Sequence, residues 1–198
     1  MFDLKEDPKQ FRLAFENAIR FYPLELCFLR ESEVELHPFP PMVRTYLGMA
    51  NPPNGMPPRQ QEFTNAVVSQ MNQDFLSLRR RGVEARISRT YCAMVQQHHA
   101  MLTLVEKFGN CIWDERMDTK YGIDLASNVM GQWFGFTVSV QTERSNEQKT
   151  RKSHNYKSPP VPVLDLKIQP NKYTRGRFWL YDVNSGEVEA FVAREQAS

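Results

Sequence analysis

Apolar residues recur at four-residue steps through residues 7–19, as Phe11, Phe15 and Ile19, with Asp7 at the N-cap and Pro8 at the first helical position. A short amphipathic helix is expected there. Phe63, Val67, Met71, Phe75 and Leu78 form a second helical stripe, which Arg79, Arg80 and Arg81 close ahead of Gly82. A further long helix is expected over residues 88–107, because Tyr91, Val95, Leu102 and Val105, with Met94, Met101 and Leu104 beside them, make a broad apolar face that Gly109 and Asn110 end. Between the first two helices, "LELCFLRESEVELHPF" alternates but is halted by Pro38, Pro40 and Pro41, which predicts irregular strands. The proline-rich "MANPPNGMPPRQ" is then a stiff connector.

Past Asn110 the period of the apolar pattern falls from helical to two. "CIWDERM", "YGIDLAS" and "QWFGFTVSVQT" are expected as three consecutive strands joined by short turns. "NEQKTRKSHN" is a polar helix or loop, "VPVLDLKI" and "RFWLYDV" are two further strands, and "VEAFVA" is a last short strand after the Asn184-Ser185-Gly186 turn. The expected organisation is an N-terminal extension over residues 1–58, with irregular strands and the connector, followed by an α/β core over residues 59–198.

Composition narrows the class. Hydrophobic residues at 41% and charged residues at 24% are those of a folded globular chain rather than a disordered one. No run approaches the ~18 apolar residues of a membrane span, and the start lacks the basic-then-apolar order of a signal peptide, so no membrane partner and a cytoplasmic location are expected. Three cysteines without a CxxC pair point to reduced thiols. No glycine-rich phosphate loop, serine elbow or dinucleotide fingerprint is present, which disfavours nucleotide hydrolysis and hydride transfer.

Net charge is only +2, so its distribution matters more than its total. Residues 144–157 carry Arg144, Lys149, Arg151, Lys152 and Lys157 against Glu147, which is +5 − 1 = +4. Such a run is either a solvated face or a contact for nucleic acid, whose duplex presents a phosphate charge about every 1.7 Å of axis. Arg144, Arg151, His154, Lys157, Arg175 and Arg177 are the candidate nucleic-acid contacts. Arg79 to Arg81 are explained by the helix dipole. His98 and His99 are adjacent, about 100° apart on a helix, so they cannot share a metal, and at least one is expected to pack in the core. Glu106 is expected as a helix-surface carboxylate beside Lys107, and Trp133, Phe178, Trp179 and Tyr181 fit core packing better than base stacking.

The order long helix, three strands, polar segment, two strands, with Tyr121-Gly122-Ile123-Asp124-Leu125 followed by the strand at 133–142, resembles the core of the PD-(D/E)XK nuclease-like superfamily over roughly residues 88–183. This is the fold of many restriction enzymes and Holliday-junction resolvases. The resemblance implies a mixed central sheet with flanking helices, carrying here an N-terminal helical extension. It also implies a Mg²⁺-dependent phosphodiesterase in which Asp124 binds the metal. An acid or glutamine near position 137 and a lysine near 139 would complete the pattern, but Thr137 and Ser139 stand there. The resemblance then leaves Gln141 or Glu143 as the second metal ligand and Lys149 or Lys152 to orient the attacking water. Apart from the resemblance, Asp124 is a turn or capping carboxylate.

Two functions follow. The first is a nucleic-acid-binding protein that cleaves DNA with Mg²⁺ if its site is active. The alternative is a catalytically inactive nuclease-fold subunit that mediates protein assembly or nucleic-acid binding in a phage, mobile-element or defence complex. Self-assembly through the basic run against an acidic face of a second copy is a weaker third.

Overall fold

The computed structural model describes residues 7–20, 62, 65, 69, 73–142 and 156–197. Helix α1, Pro8–Arg20, begins as its sequence predicts, with the Asp7 carboxylate accepting the Gln10 N–H at 3.0 Å. Phe15 and Ile19 are fully buried, and α1 packs along a long helix, α2, Gln73–Phe108. This 36-residue helix is about 54 Å long at 1.5 Å per residue. It runs straight through Gly82, where two separate helices were expected. A single interior glycine costs a helix only about 1 kcal/mol, and no proline stands nearby to break it. The helix ends where predicted, with Gly109 at φ 75° donating its N–H to the Val105 carbonyl at 2.8 Å.

"CIWDERM" is not a strand. Ile112 makes one antiparallel bridge to Ala126, and the chain then forms helix α3, Glu115–Tyr121. Asp114 caps it by accepting the N–H groups of Arg116 and Met117, and Gly122, at φ 68°, closes it through bonds to the carbonyls of Asp118 and Met117. Local capping chemistry thus overrides a weak alternation.

Strands β1, Leu125–Val129, and β2, Gln132–Val140, form an antiparallel hairpin through Met130 and Gly131, both at positive φ as a tight hairpin turn requires. Strand β3, Val163–Ile168, lies parallel to β2, with Thr137 opposite Asp165 and Ser139 opposite Lys167. The sheet order is β1-β2-β3. The Asn110 side chain occupies the free edge of β1 like a short strand, bonding both the N–H and the C=O of Asn128 at 2.7 Å.

"RFWLYDV" contributes only β5, Phe178–Trp179, paired with β4, Thr174–Arg175. "VEAFVA" is helical rather than a strand: α4, Glu187–Gln196, buries Val188, Phe191 and Val192 at i, i+3 and i+4. The core lies on one face of the sheet, where Leu125, Phe134, Phe136, Leu166 and Ile168 meet Ala100 and Leu104 of α2 and the buried face of α4. Phe191 stands edge-on to Phe134 and Phe136, with centroids at 5.9 and 6.4 Å. The protein is therefore a mixed helix-and-strand fold with a mixed three-stranded sheet, and among the described residues no helix is long and apolar enough to cross a membrane.

Candidate functional site

Asp124 sits one residue ahead of β1. Its backbone N–H donates to the Phe136 carbonyl at 3.0 Å. Its Oδ2 accepts the Val138 N–H at 2.7 Å, and its Oδ1 accepts the Gln97 amide of α2 at 2.9 Å. Val138 lies beyond the last paired residue of β1, so its N–H needs a partner that the ladder does not supply. The carboxylate supplies it, and ties helix to sheet in doing so.

On the sheet face turned away from the α2 core, the two hydroxyls that replace the expected acid and lysine have a definite task. Thr137 Oγ1 donates to Asp165 Oδ1 at 2.9 Å, and Ser139 Oγ donates to the same carboxylate at 2.9 and 3.1 Å. Lys167 follows Asp165 by two residues, on the same face and exposed. An acid and a lysine in Asp-x-Lys spacing therefore do occur, one strand later than expected. The sequence signal was the alternation of "VLDLKI", whose apolar set points one way and whose Asp and Lys point the other.

Gln141 is exposed just past β2, its N–H bonded to the Ile168 carbonyl at 2.9 Å. Glu143, Arg144, Lys149, Arg151, Lys152 and His154 lie outside the described residues. Lys157 is exposed, and its N–H bonds the Lys120 carbonyl at 3.0 Å. The Tyr156 ring lies on Gly122, so close that a Cβ there would fall 2.9 Å from it. Because β1 and β2 are antiparallel, Thr142 and Gly122 both lie at the sheet end that carries Asp124. Gly122→Ala is expected to cost about 1–2 kcal/mol for the left-handed backbone, and more if the Tyr156 ring cannot yield. Urea unfolding measures the loss, and a change under about 0.5 kcal/mol would show that the turn relaxes.

Arg175 and Arg177 lie on the β4–β5 hairpin. Arg177 is exposed, whereas Arg175 belongs to a polar cluster that sequence reasoning did not foresee. At its centre is Glu16 of α1, 1% exposed at the side chain. Glu16 accepts from Arg12, from His99 Nε2 at 2.9 Å, from Tyr173 Oη at 3.1 and 3.0 Å, and from Arg175 Nε at 2.9 Å. Arg175 also lies over the Tyr173 ring, 4.5 Å from its centroid. Arg12 reaches Glu106 at 2.5 Å, so Glu106 pairs across helices, while its neighbour Lys107 pairs with Glu189. Burial alone would raise the Glu16 carboxyl, but the hydrogen bonds and charges of His99 and Arg12 overcome it and hold the group at about 2. His99 is fully buried, as expected of one of the two histidines, and burial pushes its pKa down.

Of the aromatic candidates, Phe178 and Tyr181 are buried, Trp179 is partly buried against the core and Trp133 is 41% exposed. Burial pushes the Cys111 thiol up to about 12, which leaves it protonated and inert.

Mg²⁺ demands a near-octahedral set of oxygens. Among the described residues no group of three or more His, Cys, Asp or Glu is placed to hold a metal ion, and both Asp124 oxygens already accept N–H bonds. No known protein family, curated protein or solved structure matches the chain.

Proposed function

We propose that the chain is a nucleic-acid-binding protein in which residues 144–157 contact the phosphodiester backbone and Asp124 serves architecture rather than catalysis, the catalytically inactive use of a nuclease-like sheet. The observation that carries this reading is the engagement of both Asp124 oxygens by Gln97 and the Val138 N–H. Support for the location comes from the two ends of the basic run, since Thr142 and Tyr156 both lie at the sheet end that carries Asp124. A charge of +4 there would release condensed counterions on binding.

The test is incubation of mixed DNA and RNA substrates with Mg²⁺ or Mn²⁺, with binding followed by gel shift for wild type and Asp124→Ala. Binding without cutting is the expected result, together with a loss of about 1–3 kcal/mol of stability in the variant, because the Val138 N–H is left unpaired. Metal-dependent cutting that a folded Asp124→Ala protein lacks would overturn the reading.

A second reading rests on Asp165-Leu166-Lys167. There the carboxylate and ammonium share one strand face beside Thr137 and Ser139, the residue types that bind and polarise a phosphodiester. Cutting that survives Asp124→Ala but is lost in Asp165→Asn and in Lys167→Met would establish it.

A further inference from the structure

We infer that α1 is an acid-released latch, held against α2 and the β4–β5 hairpin by the Glu16 cluster and let go when His99 takes a proton at Nδ1. Nε2 donates to the Glu16 carboxylate, so the neutral imidazole carries its one proton there and leaves Nδ1 bare. Its Nδ1 is buried and meets no hydrogen-bond partner among the described residues. A proton added there becomes a donor without an acceptor.

Charge works in the same direction. The groups facing His99 are Arg12 and Glu16 from α1 and Tyr173 and Arg175 from the hairpin, with Glu106 of α2 behind Arg12. Two guanidiniums and two carboxylates balance while His99 is neutral. Protonation adds a positive charge to a site where Arg12 and Arg175 already share the one buried carboxylate. Burial holds the docked His99 below its ordinary value, whereas Glu16, at about 2, stays ionised in mild acid. His99 is therefore the group that responds.

Undocking returns His99 to water, where it protonates below about 6.5. Opening is thus coupled to uptake of one proton, and the open fraction rises about tenfold for each pH unit below that value until the docked form itself titrates. The release is local, because the sheet core of Leu125, Phe134, Phe136, Leu166, Ile168 and Phe191 includes no residue of α1.

The experiment is amide hydrogen exchange on the full chain between pH 7.5 and pH 5, corrected for intrinsic rates, comparing α1 with β2 in wild type and His99→Gln. The glutamine keeps an amide donor for Glu16 but cannot charge. In wild type, α1 protection is expected to fall about tenfold per unit below about pH 6.5 while β2 stays protected, and His99→Gln is expected to abolish that dependence. Loss of protection in α1 and β2 together, an unchanged α1, or the same slope in the variant would each overturn the inference. Should His99→Gln fail to fold, the wild-type imidazole is followed by NMR, and titration of His99 with α1 still protected overturns it equally.

Discussion

Glu16→Ala is expected to lower the free energy of unfolding by about 3–5 kcal/mol, the cost of removing one partner from a buried ion cluster. The carboxylate is the shared acceptor of Arg12, His99, Tyr173 and Arg175, so its loss takes an acceptor from each of them at the junction of α1, α2 and the hairpin, and leaves Arg12 only Glu106. Proton linkage gives an independent figure. A carboxyl held at about 2 instead of 4.5 in the folded protein stabilises it above pH 4.5, by about 3 kcal/mol at ~1.4 kcal/mol per unit, and that contribution is lost as pH falls through about 2. Urea unfolding at neutral pH measures the first quantity, and the pH dependence of stability between 5 and 2 measures the second. The variant should lack the wild type's steep loss over that acid range. Arg175→Ala should cost less, about 1 kcal/mol, because its side chain is 36% exposed and Glu16 keeps three donors without it. Equal losses in the two variants would mean that the cluster is not centred on Glu16.

Replacing Lys149, Arg151 and Lys152 together by glutamine is expected to weaken duplex binding by several hundredfold at about 0.1 M salt. It should also flatten the plot of log affinity against log salt by about 2.7, at about 0.9 for each phosphate no longer neutralised. The three substitutions remove most of the +4 on residues 144–157 while leaving every described hydrogen bond and ion pair intact. Binding titrations at three or more salt concentrations supply both numbers from one data set. An unchanged slope would make the run a solvated face and move the search to a protein partner. A flattened slope with unchanged affinity at low salt would mean that other cations, Lys120 or Lys167 among them, hold the duplex.

Much of the fold was legible because the signals were local. The Asp7 cap and the four-residue apolar steps located α1, and the broad apolar face with Gly109 at its end located the C-terminal half of α2. The alternation of "QWFGFTVSV" located β2. Two misreadings were also local. "DERMDTKYG" contains an N-cap aspartate and a closing glycine at helical distance, and "VEAFVARE" buries residues at i, i+3 and i+4, so both were helices that period-two matching over short windows obscured.

The candidate site was legible only in outline. Asp124 was singled out as a metal ligand by resemblance or else as a turn or capping carboxylate, whereas the bonds it makes go to the Val138 N–H and the Gln97 amide, 14 and 27 residues away. Asp165 escaped notice because its partners, Thr137 and Ser139, lie 28 and 26 residues away and meet it only through the parallel register of β2 with β3. Glu16 escaped for the same reason, since its bond to Tyr173 spans 157 residues.

What the sequence by itself determined was periodicity, caps and charge: a long helix, a long alternating strand and a +4 run that follows it. These rest on bonds and spacings within a few residues of each position, where helix closure and pleat alternation are local. Only the tertiary structure decided which carboxylates are engaged and by what. Whether an Asp or Glu is a ligand, a cap or the hub of a buried cluster depends on the donors that strand register and helix packing bring to it, and those come from distant parts of the chain.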